Sequence, residues 1–128
     1  MLRSFLSRKK PLAGAPVAPR MKTYGASSGY VYHYFFEGRR DGDEAEYVFR
    51  ISTDRSNWKF IAVALPRESV EGWQREAARE LNASERYAIV KLALFEVFDA
   101  HAVPEAIPKC TPVSRASLVA IAESLGWG

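Results

Sequence analysis

The stretch Tyr30–Ser52, YVYHYFFEGRRDGDEAEYVFRIS, decides the fold of this chain. Large apolar residues recur at every second position on both sides of Asp41-Gly42, and a period of two is the signature of strands. Asp-Gly favours a two-residue type I′ turn, in which both central residues take positive φ. That turn sets Arg40 opposite Asp43 and Arg39 opposite Glu44, two pairs of opposite charge. It places Phe36 by Tyr47, Tyr34 by Phe49 and Tyr32 by Ile51 on one face, with Phe35 by Val48 and His33 by Arg50 on the other. It also sets Glu37 against Glu46, a repulsive pair that a longer loop would separate.

Downstream, the polar link Thr53–Asn57 leads into a third strand at about Trp58–Leu65. A short link between consecutive strands implies an antiparallel meander. Phe60, Ala62 and Ala64 are expected on the tyrosine face, where small alanines let a helix approach. Lys59, Ile61, Val63 and Leu65 then join the other face. That second face is mixed, and His33, Phe35, Val48, Arg50, Ile61 and Val63 form a candidate interaction surface.

Three helices follow. Pro66 suits the first turn of a helix to about Leu81, with Val70, Trp73, Ala77 and Leu81 on one stripe. Gly72 inside it costs roughly 1 kcal/mol against Ala. Asn82 and Glu85 have capping-box spacing and start a second helix to about Ala100, apolar on every side from Tyr87 to Phe98 except at Lys91 and Glu96. Prolines at 104, 108 and 112 break the chain after it. Thr111 or Ser114 caps a last helix ending near Leu125, with Gly126 in the left-handed position and Trp127 folding back on Ile121 or Ala122. The fold class is α+β: a three-stranded antiparallel meander followed by three helices, in one domain over residues 29–128.

Upstream, residues 1–28 read as a basic, disordered tail, with residues 1–20 dispensable for folding. The whole chain carries a formal charge of +3, yet residues 1–20 hold five basic groups and no acid. Residues 21–128 hold 13 basic groups against 15 acids, a charge of −2, which is poor footing for a body that binds nucleic acid. The acid-free start, with Leu2, Phe5 and Leu6 among basic residues, resembles an organelle-targeting segment. A basic arm and an upstream extension before Met21 are the alternatives. No stretch approaches the roughly 18 apolar residues of a membrane span, and a cytoplasmic location is expected.

Little of the chain suggests catalysis. His33 and His101 are the only histidines and Cys110 the only cysteine, so neither an internal disulfide nor a cysteine-rich metal site is available. His101 is expected to interact with the dipole at the end of the second helix. Glycine-rich phosphate loops and the calcium-loop pattern are missing, and no cofactor is expected. One chain's helices cannot cover both sheet faces and the far side of the second helix, all of which carry apolar residues. A two-fold homodimer is therefore expected. The function expected is a non-enzymatic interaction or regulatory domain acting through protein contacts. One alternative is a nucleic-acid-binding regulator using the tail with Arg39, Arg40 and Arg55 as anion contacts. A second is a small enzyme using His33 or Cys110. The charge of −2 predicts that a 21–128 chain shows no measurable affinity for duplex DNA at moderate salt in a titration.

Overall fold

The structure, a computed structural model, describes residues 11–127. It is α+β, with five strands in one mixed sheet and three helices: β1 (Lys22–Gly25), β2 (Val31–Arg40), β3 (Glu44–Ser52), β4 (Lys59–Pro66), α1 (Arg67–Ala77), α2 (Ala83–Ala100), β5 (Cys110–Pro112) and α3 (Arg115–Ser124). The strands lie side by side in chain order. The first three pairings are antiparallel, and β5 runs parallel to β4. The expected meander is thus β2–β3–β4, flanked by two strands the sequence reading omitted. The helices do not all follow the sheet, because α1 and α2 form the crossover between β4 and β5.

The hairpin departs from the type I′ expectation, and charge gives the reason. Neither Asp41 nor Gly42 has positive φ. Pairing toward the turn ends at Arg40 opposite Glu46, and a bulge at Glu37 shifts the register between Phe36 and Gly38. Glu37 and Glu46 no longer face each other. Arg50 Nε donates to Glu37 Oε2 at 3.0 Å, and Arg40 lies 3.7 Å from Glu46. The bulge restores the parity that the longer loop would have reversed. Tyr32, Tyr34 and Phe36 therefore still share a face with Tyr47, Phe49 and Ile51.

On β4 the expected faces are exchanged. Ile61 lies opposite Phe49 and Val63 opposite Tyr47, so the branched residues join the aromatic face. Ile61, Val63 and Leu65 enter the core with Trp73, Leu94 and Leu118. Large branched side chains remove more apolar area from water under a helix than alanines do. Ala62 and Ala64 are left on the opposite face.

The helix termini match their sequence signals. Asn82 Oδ1 accepts from Glu85 N at 2.8 Å, and Glu85 Oε1 accepts from Asn82 N at 3.0 Å, which closes the capping box. Ser114 caps α3 through Ser117 N at 3.1 Å. At its far end Gly126 has φ 79°, and Trp127 N donates to Ala122 O at 2.9 Å. Helix α1 is shorter than expected: Ala78 turns left-handed with φ 54°, and Leu81 is buried beyond the helix end. Gly72 has a packing reason, since a Cβ there would meet the Arg115 side chain of α3 at 3.0 Å.

The domain begins earlier than residue 29. Tyr24 of β1 stacks on Phe95 of α2 at 4.2 Å, so a residue assigned to the tail belongs to the aromatic core. Ala13 pairs with Arg39 through two backbone hydrogen bonds of 2.8 and 2.7 Å. The expected tail over residues 1–10 lies outside the described residues. Among the described residues no helix is long and apolar enough to cross a membrane.

Gly38 permits this crossing of the N-terminal segment. Its φ is +133°, and a Cβ would stand 3.0 Å from both Ala13 O and Leu12 Cβ. Gly38→Ala is expected to lose about 1–3 kcal/mol of stability, read from the urea unfolding midpoint.

Candidate functional site

The helices pack into the core built on one sheet face, and the residues of the other face line up in rows across the strands. One row is Thr23, His33 and Ser52; the next is Phe35, Arg50 and Phe60. A third is Gly38, Val48, Ala62 and Cys110. Val48 and Ala62 are buried yet lie outside the helix-covered core. Phe60 is 60% exposed, a large apolar side chain presented to solvent near the start of β4, before the residues that pair with β5.

Arg50 organises the middle of this face. Its guanidinium carbon lies 4.3 Å from the Phe35 ring centre and 4.9 Å from that of Trp58. With Glu37 at its Nε, the arginine is held between two rings and a carboxylate. Cation–π contacts and the ion pair together fix a platform of two rings tilted 49° to each other, 5.4 Å apart. Beside the platform runs a groove of about 810 Å³, floored by Val48 and Ala62 and bounded by Leu12, Phe60, Ile107 and Cys110.

The predicted interaction surface therefore divides. His33, Phe35, Val48 and Arg50 share the face that no described helix covers. Ile61 and Val63 do not: they are 3% and 1% exposed, within the core beneath the helices. The sequence reading missed Phe60, Trp58 and Leu12. The signal for Phe60 lay in β4 itself, where one parity holds branched residues and the other holds Phe60 with two alanines.

The predicted anion contacts do not converge. Arg39 Nε donates to Asp41 Oδ1 at 2.7 Å, Arg40 lies by Glu46, and Arg55 sits on the β3–β4 loop with φ 62°. The two candidate enzyme residues are apart as well. His33 is on β2 and Cys110 on β5, three strands away, roughly 14 Å across the sheet at ordinary strand spacing, and offset along it as well. His33 Nδ1 is 3.3 Å from Thr23 Oγ1. His101 terminates α2, its Nδ1–H donating to Val97 O at 2.8 Å, as its position after the helix suggested. Among the described residues no group of three or more His, Cys, Asp or Glu is placed to hold a metal ion.

A second recess lies at the end of the helix-covered face. It is about 350 Å³, lined by Tyr32, Ile51, Trp58 and Lys59, with the β3–β4 loop on one side and Pro104 and Glu105 on the other. Asp54 builds that loop. Its carboxylate accepts from Ser52 Oγ, Ser56 N, Asn57 N and Asn57 Nδ2 at 2.8–2.9 Å. These donors, the backbone amides of Asn57 and Ser56 first, hold its pKa well below the ordinary carboxylate range.

Comparison with protein-family models, with curated proteins and with solved structures finds no match to this chain.

Asp54 titrates lower in the folded chain than in the unfolded one. Its stabilisation is complete above its ordinary value of 3.8 and is lost as pH falls toward the folded value. Asp54→Asn is expected to lower the melting temperature at neutral pH. The difference should begin to narrow only below about pH 4 and close as pH approaches the folded value, in thermal scans across pH.

Proposed function

We propose that the chain is a non-enzymatic interaction domain that pairs with a second copy of itself through the uncovered sheet face. The observation that carries this reading is Phe60, exposed beside the Phe35–Arg50–Trp58 platform and the groove floored by Val48 and Ala62. Aromatic residues and arginine at the centre of a patch are the usual energetic anchors of interfaces. The face is also of the right order of size. The strands of 4, 10, 9, 8 and 3 residues, at ~3.4 Å rise and ~4.8 Å spacing, give about 550 Å² in projection, somewhat below the ~800 Å² of accessible surface per partner in standard interfaces.

A two-fold arrangement suits the charge pattern. Glu37 and Glu46 are matched by Arg50 and Arg40 within the same chain, so two copies can meet face to face without a single-sign field. The same pairings weaken the nucleic-acid reading, because Arg39 and Arg40 are already engaged by carboxylates. His33 and Cys110 lie three strands apart, which counts against a site that uses both.

Light scattering over a dilution series tests the proposal. Twice the chain mass at micromolar concentration is expected. Phe60→Asp should weaken association by at least ~30-fold, about 2 kcal/mol, and keep the circular dichroism of the unchanged chain. A monomeric mass at every concentration would overturn it.

A further inference from the structure

The recess at the end of the helix-covered face holds chemistry that the dimer reading does not use. Tyr32 is fully buried, and its hydroxyl has no hydrogen-bond partner among the described residues. Its ring is stacked on Phe98 at 4.2 Å and 3°, so the hydroxyl cannot swing out to find one. Buried hydroxyls are nearly always paired, and an orphan on a recess wall calls for a partner from the recess, a water or a ligand. Burial, with smaller contributions from Tyr30 and Glu105, raises the phenol pKa. The group is therefore a proton donor at neutral pH.

Lys59 supplies the second group. Its ammonium donates to Pro104 O at 3.0 Å and to Ile107 O at 3.4 Å. Both partners are neutral carbonyls, and an ammonium has three donors. One N–H and the whole positive charge remain to be matched. Glu105, exposed on the turn beside these carbonyls, supplies a carboxylate at the rim. Asp54, also on the recess wall, already accepts four hydrogen bonds from its own loop, three on Oδ1 and one on Oδ2.

What is unspent is a buried O–H, an ammonium and a carboxylate, between the apolar walls Ile51 and Trp58. We infer that this recess binds a free α-amino acid: its carboxylate meets the Tyr32 hydroxyl and the Lys59 ammonium, its α-ammonium meets Glu105, and its side chain lies against Ile51 and Trp58. A volume of about 350 Å³ suits a ligand of that size. The order of the polar groups, two donors inside and one acceptor at the rim, gives the zwitterion its direction.

Calorimetric titration of the full chain tests this with the twenty amino acids, each beside a carboxylic acid and an amine carrying the same side chain. At least one amino acid is expected to bind at millimolar concentration or below, tighter than either single-charge analogue. Tyr32→Phe should weaken binding about tenfold or more while the unliganded chain melts no lower, since an unpaired buried hydroxyl is removed. Glu105→Gln should weaken the amino acid about tenfold and leave the carboxylic acid unchanged. Absence of heat and of any melting shift with all twenty would overturn the inference. So would a carboxylic acid that binds as tightly as its amino acid, or binding indifferent to Tyr32→Phe. Light scattering on the same samples keeps the outcome separate from dimerisation.

Discussion

The interaction on which the rest of the structure depends is the stacking of α2 onto the first two strands. Phe98 lies flat on Tyr32 at 4.2 Å and 3°, and Phe95 lies flat on Tyr24 at 4.2 Å and 4°. Parallel rings in contact fix both the height and the direction of the helix over the sheet. Farther along, Tyr87 of α2 meets Phe36 at 5.0 Å, so the helix is held at both ends. An aromatic contact also recruits β1: four residues of a Gly- and Ser-rich segment become a strand because Tyr24 has a ring to rest on. Tyr24 Oη donates to Asp99 Oδ2 at 2.7 Å, which ties β1 to the end of the same helix.

Once α2 occupies that face, the fate of the remaining apolar surface follows. Helix α3 packs on α1 and α2, so the helix that is apolar all round has partners on several sides. Burial of Tyr34 beneath this layer pushes its hydroxyl up to about 12. The crossover from β4 returns on the same side and delivers β5 to the far edge. There the prolines of the connecting stretch do no harm, because an edge strand can spare a ladder donor. No described helix remains to cover the opposite face. The Phe35–Arg50–Phe60 row and the neighbouring groove are the surplus left by this arrangement.

The recess by Tyr32 arises from the same constraint. Stacking on Phe98 places the tyrosine where α2 ends, and the chain must leave the helix through the Pro104–Ala106 turn. That turn lends carbonyls to Lys59 and stands opposite the loop that Asp54 stiffens. A buried hydroxyl, a lysine and a carboxylate thus meet at a corner of the fold. They come from residues 32, 59 and 105, and no local motif joins them.

The sequence by itself determined whatever depends on neighbours within a turn or two. The Asn82–Glu85 box, the Ser114 cap, the Gly126–Trp127 ending and the core side of the β2–β3 hairpin are local chemistry, so their residues could be read in order. The hairpin register was half legible: the clash of Glu37 with Glu46 was visible, but not the bulge that relieves it. Tertiary structure decided the rest. Strand β4 has two usable parities, and only the helix layer chose Ile61 and Val63 over Phe60 and Ala62 for the core, because it rewards the larger buried area. Strands β1 and β5 are three or four residues long and carry no periodicity of their own. They exist because distant partners, Tyr32 and Phe95 for one and Ala62–Ala64 for the other, supply the stacking and hydrogen bonds that their own residues cannot.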